Sequence, residues 1–254
     1  MYIDFHCHLA DEQYREQEIQ EIIDTCQKEN IIICSMSTDL NDFKKNLEYT
    51  KYNNVLIGFG IHPYEAHKIN KNYEKIEETL KKYKDKISFL GEVGLDFYKM
   101  EETKKEQIEI FEYFVNLSCE YDLPLSIHTR GAEREVSEIL TKYQKQKKIK
   151  AIFHCFTSTD KIIVNTILEN DWYFEFGGVI TFKKSNELRN ILKYIYEAKG
   201  KILCETDSPY ITPEPYRGQK NYPYYVKIVY DFIANFLNDR SFIKQLPIEI
   251  YERY

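Results

Sequence analysis

Side chains that could bind metal ions follow several of the apolar runs in this 254-residue chain. Four of the six histidines occupy such positions, namely His6, His62, His128 and His154. Glu92 and Asp207 follow two further apolar runs in the same way. Imidazole nitrogens and carboxylate oxygens are common ligands of divalent metals in proteins. If these side chains converge in the fold, they would build a metal centre.

His6 and His8 strengthen this prediction because they are two residues apart. An extended backbone points both imidazoles to one side and Cys7 to the other. About 0.14 such pairs are expected by chance in this composition, so the pair alone is a weak signal. The whole set is His6, His8, His128, His154, Glu92 and Asp207, which is more than one tetrahedral ion requires. We therefore predict two divalent ions, bridged by Glu92.

The apolar runs are predicted to be β-strands, separated by amphipathic helices. Eight strands are predicted, at residues 2–5, 31–36, 55–61, 87–92, 123–127, 150–153, 172–176 and 201–204. Helices are predicted at residues 12–28, 73–83, 102–120, 132–143, 161–168 and 186–197, among others. Apolar residues recur near helical spacing within residues 108–117, which is typical of helices that cover a sheet.

This alternation predicts an α/β fold, a single (β/α)8 TIM barrel spanning residues 1–254. No Pro/Gly/Ser-rich linker divides the chain. The alternative is an open doubly wound sheet, which normally has a Gly-rich phosphate-binding turn after its first strand. Here the first strand runs into His6-Cys7-His8 instead. In a barrel the strands end at the active-site face, so the metal site is predicted at the C-terminal mouth of the strands.

Composition excludes several classes of protein. The chain is 43% hydrophobic and 30% charged, which is typical of a globular protein and not of a disordered one. It shows neither an apolar run of membrane-spanning length nor a secretory leader, so we expect a cytoplasmic protein with no membrane partner. Nothing indicates an obligate protein partner. The net charge of −6 excludes a broadly basic surface that would coat duplex DNA.

Each candidate ligand also has a simpler interpretation when it is considered alone. A histidine at the barrel mouth can be a hydrogen-bonded structural residue, and a carboxylate can cap a helix. Those roles give no reason for six potential ligands to share one position on five different strands. His67 follows no strand and is interpreted as a surface residue.

The residue blocks around these positions resemble the TatD family of metal-dependent deoxyribonucleases, which belong to the amidohydrolase-like metallo-hydrolases. The matching blocks are Ile-Asp-Phe-His-Cys-His at 3–8, Gly-Ile-His-Pro at 60–63, Gly-Glu-Val-Gly-Leu-Asp at 91–96, Ile-His-Thr-Arg at 127–130, Phe-His-Cys-Phe at 153–156 and Glu-Thr-Asp-Ser-Pro-Tyr at 205–210, continued by Arg217-Gly218, Asn221 and Pro223. Two features depart from the family. Ser158 stands where Gly is usual, and the chain ends at Tyr254 without the longer terminal helix.

The resemblance implies a ligand set and a reaction. His6, His8, Glu92 and Asp207 would hold one ion, while Glu92, His128 and His154 would hold the second. It implies a nuclease that often works with Mg²⁺, whereas histidine-rich coordination favours Zn²⁺ or Mn²⁺. The predicted reaction is hydrolysis of DNA phosphodiester bonds by metal-activated water, with Asp207 as the general base.

Five further residues are predicted to serve the site. His62 is predicted to contact a phosphate oxygen or the leaving group, the alternative being a packing histidine fixed by Pro63. Arg217 and Arg130 follow ligand-bearing strands, and a guanidinium can bind phosphate bidentately. Tyr98 could stack on a base, although a plain surface or core role is an alternative. Glu205 could orient a ligating histidine or make only a structural hydrogen bond.

Two other functions remain open from the sequence. The first is a metal-dependent ester or amide hydrolase, such as a D-aminoacyl-tRNA deacylase, which would use the same ligands. The second is a non-catalytic protein that binds nucleic acid or metal. Two divalent ions and their two carboxylate ligands leave a local excess of about +2, despite the acidic chain. This charge favours a single strand or a DNA end as the substrate, cleaved in an exonuclease-like manner.

Overall fold

The protein is an eight-stranded parallel barrel, as seen in a computed structural model that describes residues 1–69 and 73–244. Each strand pairs with the next along the chain in one continuous sheet. A parallel bridge between Cys7 and Ser208 brings the last strand back to the first. The predicted (β/α)8 barrel is confirmed, and the doubly wound alternative is wrong. The expectation that the longer terminal helix is missing concerns residues that lie outside the described ones.

The strands carry the site residues differently from the sequence prediction. Their bounds are β1 Tyr2–Cys7, β2 Ile31–Ser35, β3 Val55–Gly58, β4 Ile87–Asp96, β5 Leu125–Arg130, β6 Ala151–Phe153, β7 Tyr173–Phe176 and β8 Lys201–Cys204. His6 and His128 therefore lie inside strands instead of directly after them, and Glu92 lies in the middle of β4 instead of at its end. Pairing between β4 and β5 continues as far as Asp96 and Arg130, which lengthens both strands beyond their apolar cores.

Eight helices cover the barrel in the described part of the chain. They are α1 Glu16–Lys28, α2 Leu40–Tyr49, α3 Tyr73–Tyr83, α4 Lys104–Tyr121, α5 Glu133–Gln144, α6 Lys161–Glu169, α7 Asn186–Glu197 and α8 Val226–Phe236. Helix α2 was not among the named predictions, although Asp39 caps it by accepting hydrogen bonds from the backbone N–H groups of Asn41 and Asp42. None of the described helices is long and apolar enough to cross a membrane.

Apolar side chains form two layers around the sheet. One layer lies between the strands and the helices and includes Ile31, Ile33 and the α1 residues Ile22 and Ile23. The other fills the barrel interior and consists of Ile3, Phe5, Ile32, Cys34, Met36, Phe89, Ile152, Tyr173 and Leu203. The alternation of Ile31, Ile32 and Ile33 between the layers follows from the two-residue period of a strand. The filled interior forms a rigid floor beneath the mouth.

Hydrogen bonds join the first strand to the segment that follows the last one. The buried Asp4 carboxylate accepts hydrogen bonds from the Thr206 backbone N–H at 2.7 Å and from the Thr206 hydroxyl at 2.6 Å. The Asp207 N–H donates to the His6 carbonyl, and the His8 N–H donates to the Ser208 carbonyl. We call this contact of residues 4–8 with residues 206–208 the closing seam. It holds His6, His8 and Asp207 in one place.

Candidate metal centre

Glu92 lies at the middle of the candidate site, and its two carboxylate oxygens face different histidines. Its Oε2 is 3.6 Å from His6 Nε2 and 3.5 Å from His8 Nε2. Its Oε1 is 2.9 Å from His128 Nδ1 and 3.1 Å from His154 Nε2. The Glu92 side chain is only 4% exposed. A carboxylate whose oxygens serve two separate groups of nitrogens can bridge two cations.

The donor set fits divalent metal ions. His6, His8 and Glu92 offer ligand atoms that all lie within 4.8 Å of one another, and so do His62, Glu92 and His128. The Nε2 atoms of His6 and His8 face each other at 3.2 Å, as two ligands of one ion would. Three or four nitrogen and oxygen donors converging in this way are the usual environment of a catalytic metal.

Asp207 joins the His6 and His8 side of the cluster. Its Oδ1 is 3.4 Å from His8 Nε2, and the residue is 8% exposed. Its backbone is left-handed, with φ of +54°, a conformation that costs about 1–3 kcal/mol for a residue other than glycine. The N–H bond to the His6 carbonyl in the closing seam holds this conformation. The four residues that the resemblance assigned to the first ion are therefore brought together.

His62 lies beside the opposite oxygen of Glu92, with its Nε2 3.5 Å from Oε1. The Tyr64 backbone N–H donates to His62 Nδ1 at 3.2 Å, so the neutral ring carries its proton on Nε2. Burial lowers the pKa of His62 to about 3, which keeps the ring neutral. His62 is thus near enough to act as a ligand, while its hydrogen bonding presents an N–H donor to the cleft.

Hydrogen bonds from surrounding residues fix the orientation of the histidines. Ser126 Oγ lies 2.8 Å from His6 Nδ1, and Glu205 Oε2 lies 3.2 Å from His154 Nδ1. Asp96 Oδ2 lies 3.2 Å from His128 Nε2 and accepts a hydrogen bond from the Tyr64 hydroxyl. Partners of this kind set which nitrogen a histidine presents to a metal. Glu205 therefore contacts a candidate ligand, as do Ser126 and Asp96, to which the sequence analysis had given no role.

Burial and neighbouring charges divide the histidines into two electrostatic types. Burial, together with the charge of the adjacent His154, lowers the pKa of His6 to about 3. Burial also disfavours charge on His8, but Asp207 and Glu92 outweigh it and raise the pKa of His8 to about 9. Burial alone would raise the pKa of Glu92, yet the surrounding histidines hold it well below its ordinary value. The centre therefore keeps an ionised carboxylate among imidazoles.

A cleft of about 630 Å³ opens above this cluster. Seven of the predicted site residues line it, together with other residues that include Val179, Tyr210 and Ile211; the seven are His8, His62, Glu92, His128, Arg130, His154 and Asp207. The guanidinium of Arg130 lies 4.3 Å from the ring centroid of Tyr98, which is 70% exposed. Arg217 does not line the cleft. Its guanidinium lies 4.0 Å from the ring centroid of Phe182, whose backbone N–H donates to the carbonyl of Val179 in the cleft lining.

A parallel barrel that gathers histidines and carboxylates at the C-terminal mouth of its strands has the architecture of a metal-dependent hydrolase. Residues 3–248 match the family described as TatD related DNase. The chain therefore belongs to the TatD family.

Individual relatives agree with this assignment. The chain is 36% identical, over 93% of its length and 88% of the relative's, to an "Uncharacterized metal-dependent hydrolase" of Buchnera aphidicola subsp. Baizongia pistaciae. It is 32% identical to the Bacillus subtilis "Uncharacterized metal-dependent hydrolase YabD", over 92% and 90% of the two chains. The crystal structure of the TatD homologue YJJV from Escherichia coli superposes with a TM-score of 0.84 at 21% identity, covering 99% of this chain and 94% of that one. The protein is a metal-dependent hydrolase of this family.

Proposed function

We propose that the protein is a divalent-metal-dependent deoxyribonuclease that hydrolyses phosphodiester bonds of single-stranded DNA or DNA ends. The observation that carries the proposal is that the two carboxylate oxygens of Glu92 face different histidines. Its Oε2 is 3.5 Å from His8 Nε2, and its Oε1 is 2.9 Å from His128 Nδ1. A carboxylate whose two oxygens face different histidines suits a two-ion site, and such sites are used to cleave phosphate esters. Membership of the TatD-related DNase family supports the same reaction.

The ligands proposed for the first ion are His6, His8, Glu92 and Asp207, and those for the second are Glu92, His128 and His154. Two bound divalent ions would supply a water of lowered pKa and neutralise charge that develops on the phosphoryl oxygens. The candidate ions are Mg²⁺, Mn²⁺ and Zn²⁺. The histidine content favours Mn²⁺ or Zn²⁺ by ligand preference.

Asp207 is proposed as the general base because it borders the cleft and remains ionised. Burial alone would raise the pKa of Asp207, but its contact with His8 lowers it below its ordinary value. An ionised carboxylate held by neighbouring histidines can accept a proton from the attacking water. His62, with its proton on Nε2, is proposed to donate a hydrogen bond to a phosphate oxygen or to the leaving group.

The remaining predicted residues are proposed to bind substrate or support a ligand. Arg130 would bind phosphate from one wall of the cleft, and Arg217 would do so from the rim. Tyr98 would stack on a base. Glu205, buried beneath His154, would orient that histidine. The expected exonuclease-like action fits a cleft with a local cationic charge in a chain of net charge −6.

The proposal is tested by giving the metal-free protein end-labelled single-stranded oligonucleotides with Mg²⁺, Mn²⁺ or Zn²⁺ in turn. We expect shortened labelled products with at least one ion and none in EDTA. A D-aminoacyl-tRNA is assayed in parallel, because a deacylase would release the amino acid and leave the DNA intact. Binding of DNA without cleavage under all three ions would overturn the proposal and favour a non-catalytic protein.

A further inference from the structure

Two arginine–aromatic stacks stand at the barrel mouth. The Arg130 guanidinium lies 4.3 Å from the Tyr98 ring centroid, and the Arg217 guanidinium lies 4.0 Å from the Phe182 ring centroid. A guanidinium held on an aromatic ring is fixed in its plane, while its N–H edge stays available for phosphate. Each stack therefore offers a flat surface for a base beside a phosphate-binding edge.

The two stacks belong to different sides of the mouth. Arg130 is the last residue of β5, and Tyr98 follows β4 by two residues. Phe182 comes directly after the short helix Gly178–Thr181, which follows β7, while Arg217 lies in the loop after β8. Around the barrel, the two stacks are separated by β6 in one direction and by β1, β2 and β3 in the other. His154 directly follows β6, so part of the metal cluster lies between the stacks.

Both arginines are free of carboxylate partners. They are exposed, and within residues 1–69 and 73–244 neither forms an ion pair, whereas Lys201 and Lys220 are bound to acidic residues at 2.7 and 2.6 Å. An unpaired cation in a chain of net charge −6 is available to an anionic ligand. Lys183 and Lys184, both exposed, follow Phe182 and add charge on that side.

The surface between the stacks suits a polymer better than a small phosphate ester. Val179 and Ile211 line the cleft wall on the Arg217 side, and Tyr210, 45% exposed, lies with them. A ligand that repeats an anion and a planar ring at regular intervals can contact both stacks, and single-stranded DNA has that chemistry.

We infer that a single strand of DNA lies across the barrel mouth, with the nucleotide on one side of the scissile phosphate held by Tyr98 and Arg130 and the nucleotide on the other side held by Phe182 and Arg217. The inference rests on the proposed deoxyribonuclease function and adds to it the path of the strand. Each stack recognises one flank of the cleaved bond.

The test uses thymidine 5′-(4-nitrophenyl) phosphate and thymidine 3′-(4-nitrophenyl) phosphate, which carry a nucleoside on opposite sides of the phosphate. Consumption of each ester is followed by chromatography, because either ester bond can break. Arg130→Ala should raise KM about tenfold for one ester and leave the other within about twofold, and Arg217→Ala should show the reverse. Loss of a base-stacking contact, about 1–3 kcal/mol, sets the size of this effect.

Tyr98→Ala and Phe182→Ala should reproduce the pattern of their arginine partners, and all four variants should raise KM for the dinucleotide TpT. The control is Lys82→Ala. It removes a cation that lies 4.9 Å from the Tyr83 ring at the C-terminal end of α3, away from the mouth, and should change no KM. If Arg130→Ala and Arg217→Ala weaken the same ester, or neither ester, the strand path is overturned.

A binding measurement separates this inference from the proposed activity. Fluorescence anisotropy of a labelled five-residue oligothymidylate is measured with the Asp207→Asn protein, so that cleavage does not interfere. Arg130→Ala and Arg217→Ala should each raise Kd about tenfold in that background, and an unchanged Kd would refute the path. If the wild-type protein cleaves no phosphodiester with any ion, the proposed function fails, whereas the binding result still decides whether the stacks hold a strand.

Discussion

At the residue scale, the role of Asp207 separates chemistry from binding. Asn keeps the shape of the side chain but cannot accept the proton of the attacking water, so Asp207→Asn should lower kcat by about 10² or more. KM for an oligonucleotide should stay within a few-fold, because the arginines and Tyr98 are unchanged. Steady-state kinetics with the activating ion measure both constants. A kcat close to that of the wild-type protein would rule out Asp207 as the base.

Glu175, which the sequence analysis did not single out, forms a buried carboxyl pair with Glu205. It is fully buried, and neither of its oxygens has a hydrogen-bond donor among the described residues. Burial raises the pKa of Glu175 well above its ordinary value, and the charge of Glu205 raises it further. Glu175 is thus held neutral in the interior, close to Glu205 and beneath His154.

A neutral Glu175 predicts that the free energy of unfolding depends differently on pH in the wild-type protein and in Glu175→Gln. Between the ordinary pKa of Glu175, 4.5, and its raised value, the folded state binds more protons than the unfolded state. Glu175 therefore contributes less stability as the pH rises, by at most about 1.4 kcal/mol per pH unit. Gln stays neutral at every pH. From pH 5 to 8 the free energy of unfolding of Glu175→Gln should therefore rise relative to that of the wild-type protein. Urea unfolding in EDTA measures this difference, and a constant difference across pH would contradict a protonated Glu175.

The candidate ligands could be predicted from the sequence because each follows a recognisable apolar run. Their supporting partners could not, since contacts such as Ser126 with His6 join residues that are 120 positions apart. One available signal was not used. Glu205 was singled out because it precedes the candidate ligand Asp207 by two residues. Ser126 likewise precedes the candidate ligand His128 by two residues. Asp96 ends the matching block at 91–96, but only the fold shows that it faces His128 and Tyr64.

At the element scale, the contact of β4 with β5 positions two ligands at once. Gly94 pairs with His128, has φ of +148°, and leaves no room for a side chain, because an added Cβ would lie 2.0 Å from the His128 carbonyl oxygen. Gly94→Ala should therefore push β5 away from Glu92, destabilise the fold by about 1–3 kcal/mol and weaken metal binding.

Gly218→Ala is the matched control for this substitution. Gly218 also has a positive φ, of +91°, but an added Cβ would meet nothing within 4 Å. It should carry the backbone cost without the clash and keep the metal affinity of the wild type. Urea unfolding and calorimetric metal titration compare the two variants. Equal metal affinity in both would show that the approach of β4 to β5 does not control the centre.

Asp39 caps the N-terminus of helix α2. The Asp39 carboxylate accepts hydrogen bonds from the N–H groups of Asn41 at 2.7 Å and Asp42 at 2.8 Å. Asp39→Ala should lower the free energy of unfolding by about 1 kcal/mol, whereas Asp39→Asn, which can still cap, should cost less. Urea denaturation measures both. Equal losses in the two variants would show that the cap does not stabilise this helix.

The number and order of strands could be predicted because apolar runs mark them, but their ends could not. The prediction stopped β4 at Glu92, whereas the strand continues to Asp96 through pairing with β5. Polar residues there extend a strand only because the neighbouring strand supplies partners. Helix α8 was missed for a related reason. Its buried residues Val226, Val229, Tyr230 and Ile233 have helical spacing, but they follow a tyrosine-rich segment that obscures where the helix begins.

At the scale of the whole molecule, metal binding should stabilise the fold, because the ligands come from β1, β4, β5, β6 and the segment after β8. An ion present at 100 times its Kd adds about 2.7 kcal/mol, which for a chain of this size raises Tm by about 5–10 °C. Calorimetry should find two ions per chain. Glu92→Gln should lose most of this stabilisation and one or both ions.

The exposed Glu169 at the end of α6 provides the matched control, and Glu169→Gln should respond to metal as the wild type does. Scanning calorimetry with metal and with EDTA compares the three proteins. A Glu92→Gln protein that keeps both ions and the full rise in Tm would refute the bridging role of Glu92.

The closing seam has a consequence for the order of synthesis. Residues 4–8 leave the ribosome before the rest of the described barrel, and their partners at 206–208 are made about 200 residues later. Contacts this far apart in the chain form late, since the chain between them must be ordered first. A nascent chain therefore holds His6 and His8 without Asp207 until about 200 further residues have been made. The candidate metal centre is therefore complete only after the closing seam has formed.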